Sequence, residues 1–335
     1  MNSLLSTLPI GGFFELELPM GSAQPHSRAW AALASGRACL GMMMEKLHPT
    51  KVWVPFYICD SVLHALGNAH VSYAFYALNE ELELPILPLL GNGEYILYVN
   101  YFGLKGDYTD QLSEHYGLRL LLDLTQAFFE EPSTGQWAFN STRKFFGVPD
   151  GAYLYAPDAL PPPAVPVNQS ISIEHLVKRQ IGAQAAAYAA YSHYEEALSY
   201  DVLSMSAISR SWLSWLDYSL IAAHRQANFH LYHQLLQPLF NEPEAVAWEW
   251  FPLPPGAIPF CYPVRLARPL TDRQPLFEQS IFVPWLWPEM CQRPQYFPLE
   301  KTFVDGVLAL PLDHRYGLTE VTFVASQVAL LLKRN

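Results

Sequence analysis

Between Val52 and Asp123 the chain alternates short apolar runs with amphipathic ones, and this alternation constrains the fold more than any other feature. Val52–Phe56 (VWVPF) reads as a buried strand, and a helix begins at Asp60 and runs to about Ala69. Val71–Tyr76 is the next strand, Tyr95–Asn100 (YILYVN) another, Asp107–Tyr116 a helix, and Arg119–Asp123 (RLLLD) a further buried strand. Strands that are apolar throughout and separated by helices build a parallel sheet covered on both faces. The spacing therefore predicts an α/β class with a mostly parallel central sheet. Gln136–Phe139 and Gly151–Tyr155 extend it as further strands.

The rest of the chain divides around that block. Residues 1–34, punctuated by Gly11, Gly12, Pro19, Gly21 and Pro25, read as an irregular N-terminal arm. Residues 35–240 form the large domain. It includes a Pro-rich break at 157–166 and helical stretches over 172–199 and 205–239. Residues 245–335 form a smaller C-terminal α/β domain. Its expected strands are Phe260–Arg265, Ile281–Val283 and Val307–Leu310, and its closing helix is Leu318–Leu332.

Composition narrows the function classes. Of 335 residues, 51% are hydrophobic and 15% charged, which describes a globular chain with a large core. Twenty Lys+Arg face 31 Asp+Glu, for a net charge of -11, and no basic run appears, so nucleic acid is not an expected partner. No apolar run reaches the roughly 18 residues that span a bilayer. The first residues lack the basic start of a signal peptide, and the four cysteines show no CxxC spacing; both fit reduced thiols and a cytoplasmic location.

Candidate chemistry sits at the turns. The stretch FNSTRKFFGVPDG (Phe139–Gly151) places Lys144 between two strands, with Ser141 before it and Gly147 and Gly151 after it. A lysine with a neighbouring hydroxyl and a neighbouring cation, here Arg143, suits a nucleophilic amine that forms a Schiff base with a phosphate-bearing aldehyde, provided it is partly desolvated. A solvated surface lysine is the competing reading. Ser35-Gly36-Arg37 opens a helix, and a helix start with a hydroxyl, free N–H groups and a cation can hold a phosphate; a plain capped helix is the alternative. Asp123 ends a buried strand, where an acid is either functional or a turn cap, and Gln126 follows it. Tyr57, at a strand-to-helix turn, either stacks on a flat ring or packs in the core. His230 and His233 stand i, i+3 on a helical run without a third ligand, so no metal site is expected.

Taken together, these segments resemble the DegT/DnrJ/EryC1/StrS family of fold-type-I pyridoxal phosphate (PLP) enzymes, known as sugar aminotransferases. SGRACL resembles the family's phosphate-binding helix start, LLLDLTQAFF its acid-and-glutamine segment, and FNSTRKFFGVPDGAYL its lysine loop. The run from LSMSAISRSW and the closing VLALPLDHRYGLTEV follow in family order. The resemblance implies the fold-type-I architecture and a cofactor, pyridoxal 5'-phosphate, on Lys144. Asp123 would pair with the pyridine nitrogen, Gln126 would orient the ring, and Tyr57 would stack on it. Ser35, Gly36, Arg37 and Ser141 would hold the phosphate. It also implies a homodimer with shared sites that moves an amino group from glutamate or glutamine to a keto-sugar or similar carbonyl acceptor. Two departures stand out: Arg37 replaces the usual Thr, and VPDG replaces a glycine-rich run after the lysine. They leave open a PLP-dependent lyase, aldolase or racemase, or a catalytically degenerate member with a binding or regulatory role.

Overall fold

The computed structural model describes residues 16–19, 21–157, 160–241, 247–270 and 272–333. The first fifteen residues of the expected arm lie outside this range. The large unit runs β1 (Ala31–Leu33), α1 (Gly36–Leu47), β2 (Lys51–Pro55), α2 (Asp60–Asn68), β3 (Ser72–Tyr76), β4 (Glu94–Val99), α3 (Gly106–Tyr116), β5 (Leu120–Asp123), β6 (Trp137–Phe139) and β7 (Ala152–Tyr155). Four helices follow: α4 (Glu174–Gln180), α5 (Gln184–Glu196), α6 (Ala207–Ser214) and α7 (Tyr218–Phe240). The chain closes through β8 (Ala247–Glu249), β9 (Tyr262–Leu266), α8 (Gln274–Glu278), α9 (Pro298–Gly306), β10 (Val307–Leu310) and α10 (Leu318–Leu332).

The first seven strands form one sheet in the order β1-β7-β6-β5-β4-β2-β3. Strands β2 to β6 run parallel, β7 runs against β6, and β1 runs against β7. The carboxyl ends of β1, β5 and β6 therefore lie on one edge of the sheet. That edge is where open α/β sheets bind ligands. The three leucines of β5 are buried on both faces, each contributing about 2 kcal/mol of apolar burial. The last three strands form a separate antiparallel sheet, β10-β9-β8. Helix α10 packs against α7 and buries Val321, Val324, Ala325, Val328 and Leu332, a stripe at helical spacing. The Glu320 carboxylate accepts the Gly317 N–H at 2.9 Å at the start of α10. Buried side chains of both sheets join in one apolar core.

Two expectations are corrected. The end of the arm is not irregular: Ala31–Leu33 adds an edge strand, β1, to the large sheet. Ile281–Val283 is not a strand. The Arg273 guanidinium, buried against the Trp285 ring at 4.3 Å, takes the Val283 and Pro284 carbonyls at 3.4 and 2.6 Å. Those carbonyls are thereby diverted from a ladder, and Ser280 enters the segment at φ 59°. The strand beside β9 is Ala247–Glu249 instead.

Candidate active site

Three strand ends converge on a cavity of about 250 Å³. From beyond β1 come Ser35, Gly36 and Arg37; from β5 come Asp123 and Thr125; from beyond β6 come Ser141, Arg143 and Lys144. Shallower hollows elsewhere are larger, such as one of about 420 Å³ between α1 and α2, but its walls carry no lysine. The smaller cavity gathers the reactive groups, and chemistry rather than size selects it.

The Lys144 amine donates to the Thr125 hydroxyl at 3.0 Å, and the Thr125 N–H donates to an Asp123 carboxylate oxygen at 2.8 Å. Amine, hydroxyl and acid thus form one chain. Asp123 is buried, and burial pushes its pKa above the usual carboxylate value; the Lys144 charge and the Thr125 bonds pull it part of the way back. An added positive charge at this end of the cavity would favour the ionised acid. Lys144 itself does not meet the expectation of desolvation: its side chain is exposed at the mouth, although its amine turns inward to Thr125.

The lysine sits on a single helical turn, Thr142–Lys144, that is fixed from behind. The Thr142 hydroxyl donates to the Gly151 carbonyl at 2.8 Å, the Thr142 N–H donates to the same carbonyl at 3.0 Å, and the Gly151 N–H donates to the Ala34 carbonyl at 2.7 Å. That last bond ties the lysine loop to the residue before Ser35. Asp150, fully buried, accepts from the Ser206 N–H at 3.0 Å, the Ser206 hydroxyl at 2.7 Å, the Asn168 amide at 3.0 Å and the Ser209 hydroxyl. The VPDG departure is therefore an anchor onto α6, not a loss of the loop.

Opposite the lysine stands the start of α1. Ser35, in extended backbone, caps it by accepting the Ala38 N–H at 3.1 Å. The first N–H groups of a helix have no partner inside it, and the dipole's positive end lies there. Arg37 donates to the Ser61 hydroxyl at 3.2 Å. Arg37 and Arg143 both reach Glu195 at the end of α5, Arg37 at 3.7 Å and Arg143 in direct contact. Ser141 lines the wall with its hydroxyl making no capping bond.

Two expected site residues lie elsewhere. Tyr57 is fully buried, stacked with Tyr101 at 5.9 Å and edge-on to Trp287 and Phe303 at 4.6 and 5.2 Å. Its ring is part of the buried core beside Tyr101, Trp287 and Phe303, and the cavity-facing positions of its turn belong to Cys59 and Ser61. Gln126 points away as well. Its side-chain oxygen accepts the Phe102 N–H at 2.7 Å and supports a turn in which Phe102 has φ 59°. Sequence reasoning missed Thr125, Cys59, Ser61 and Glu195 as cavity residues. The threonine two places beyond the strand-end acid was the one available signal among them. Of the two histidines weighed as metal ligands, His233 pairs with Glu249 at 2.5 Å.

No protein-family model matches the chain, and no curated protein matches it. Solved structures do. The aminotransferase TlmJ from Streptoalloteichus hindustanus superposes with a TM-score of 0.63 at 16% identity, over 89% of this chain and 84% of that one. DesV from S. venezuelae gives 0.64 at 16% identity, over 91% and 85%. The PLP-form of Spr1654 from Streptococcus pneumoniae, described as a sugar aminotransferase, gives 0.62 at 12% identity, over 91% and 87%. At these identities the likeness is one of fold: the chain shares the fold of these three structures.

Proposed function

We propose that this chain is a PLP-dependent aminotransferase that takes an amino group from glutamate or glutamine and gives it to a keto-sugar or similar carbonyl acceptor. The observation that carries the reading is the chain Lys144–Thr125–Asp123, set across one cavity from a capped helix start and two arginines. The donor set fits the group. A phosphate needs N–H groups, hydroxyls and cations, and Ser35, Gly36, Arg37, Ser141 and Arg143 bring them to one end. A protonated ring nitrogen needs a buried acid, and Asp123 is that acid at the other end.

When bound, pyridoxal phosphate supplies the electron sink for the bond broken at the substrate carbon. The protein's part is positional and protonic. Asp123 would pair with the ring nitrogen and hold it protonated. Thr125 holds the Lys144 amine between acid and substrate. Lys144 would take the proton from the substrate carbon and hold it for return, acting as general base and then as general acid. Its exposed position leaves it room to swing between these two tasks.

We further infer a homodimer. The support is the resemblance of the site motifs to a family whose members share sites between two copies. Sedimentation at micromolar concentration reads this directly, with a monomer as the contrary result. For the activity itself, added pyridoxal 5'-phosphate turns the protein yellow. Glutamate or glutamine then discharges the colour, and a keto-sugar restores it. A donor that leaves the colour unchanged while releasing another product moves the assignment to a lyase or racemase.

A further inference from the structure

Glu195 is the one carboxylate touching the cationic end of the cavity among the described residues, and it touches both arginines there. The three side chains are 14–28% exposed, so the contacts are partly shielded from solvent. Glu195 ends α5, which forms with α4 a helical hairpin reversed at Gly182, φ 80°. The hairpin is lightly anchored: across its two helices the buried residues are His175, Ala187 and Tyr194. The Tyr194 hydroxyl donates to the Pro149 carbonyl at 3.0 Å, and its ring lies 5.4 Å from the Arg143 guanidinium. Arg143 thus holds the end of the hairpin at two points, Glu195 and Tyr194.

We propose that Glu195 is an internal competitor for the phosphate-binding arginines: a phosphate-bearing ligand binds by taking Arg37 and Arg143 from Glu195, and this releases the end of the α4–α5 hairpin. The proposal rests on the cofactor reading above for which ligand brings the phosphate. The charges support the exchange. One carboxylate carries a single negative charge against two guanidiniums, whereas a phosphate monoester carries nearly two and offers three acceptor oxygens. Each arginine meets Glu195 through a single nitrogen, and neither can serve Glu195 and a phosphate at full strength together. Glu195 therefore sets the threshold affinity of the cradle, and the loosely held hairpin is the element able to move.

The test compares wild type, Glu195→Gln and Glu174→Gln. The last variant removes an equal charge from the same hairpin at an exposed pair with Lys178. Two probes are titrated calorimetrically: inorganic phosphate, which reads the cradle, and pyridoxal 5'-phosphate, whose colour reads Lys144. The expected result is that Glu195→Gln binds inorganic phosphate about tenfold more tightly, the worth of one partly shielded ion pair. Glu174→Gln should match wild type. Limited proteolysis over 174–199 should become faster in Glu195→Gln, and faster in wild type on adding phosphate. Equal or weaker phosphate binding by Glu195→Gln overturns the proposal and makes Glu195 a support for the arginines. The colour decides the cofactor reading independently: tighter phosphate binding with no yellow form keeps the competitor and removes the cofactor.

Discussion

Replacing Gly151 by alanine perturbs the lysine loop at its tightest point. Gly151 has φ 125°, which an L-residue adopts at a cost of about 1–3 kcal/mol. Its added Cβ would also lie 2.5 Å from the Thr142 Oγ1 and 2.9 Å from the Met205 Cε. Thr142 cannot swing aside, because its hydroxyl is committed to the Asp150 and Gly151 carbonyls at 3.1 and 2.8 Å. Overpacking of that kind adds about 1–3 kcal/mol. The sum is a loss of about 2–6 kcal/mol, localised to the backbone that joins Lys144 to Ser35. Gly135 supplies the control: it has φ 83° and nothing within 4 Å of an added Cβ, so alanine there meets backbone strain alone, about 1–2 kcal/mol. Urea unfolding followed by circular dichroism ranks the two variants, and titration with pyridoxal 5'-phosphate reads the loop. Gly151→Ala should lose at least about 1 kcal/mol more than Gly135→Ala and bind the cofactor more weakly, with Gly135→Ala binding as wild type does. Equal stability of the two, with unchanged cofactor affinity, would refute the argument that the loop is held through Gly151 and Thr142.

Three further outcomes follow from named side chains. Asp123→Asn keeps an acceptor for the Thr125 N–H but removes the charge. Because burial raises the Asp123 pKa, folding stability is lost as pH rises above the ordinary carboxylate value through the raised one. Denaturant midpoints against pH should show that loss in wild type and not in Asp123→Asn, while cofactor binding by the variant falls by about 3 kcal/mol. Tyr57→Phe removes a buried hydroxyl with no hydrogen-bond partner, so stability should hold or rise by up to about 1 kcal/mol, with cofactor affinity unchanged; weakened binding would return Tyr57 to the site. His26 is held neutral by burial, its pKa lowered to about 4 from 6.5. The unfolded chain therefore binds the proton first as pH falls, and about 3 kcal/mol of stability is lost between pH 6.5 and 4. A His26→Gln variant should lack that slope in the same unfolding series.

Much of this arrangement was legible in the sequence because it depends on local pattern. The alternation from Val52 to Asp123 specifies a parallel sheet, and such a sheet puts Asp123 and Ser141 on one edge whatever the loops do; Ser35 joins them through β1, a strand the sequence did not reveal. Lys144 follows from its loop. Tyr57 and Gln126 were misplaced for a common reason. Position after a strand end brings a residue near the edge, but the direction of its side chain is set by what the core needs to fill, here the gap beside Tyr101 and Trp287 and the turn at Phe102. Ile281–Val283 is apolar enough for a strand but is claimed by a buried arginine from another segment. Glu195 left no trace in the sequence, since its partners Arg37 and Arg143 are distant in the chain and no periodicity links them.

The account turns on Lys144 as the residue that joins the cofactor. Incubation with pyridoxal 5'-phosphate, reduction by borohydride and peptide mass mapping measure this directly. A single phosphopyridoxyl adduct on the peptide carrying Lys144, absent from Lys144→Ala, is the predicted result. An adduct on another lysine such as Lys105, or none at all, would contradict it.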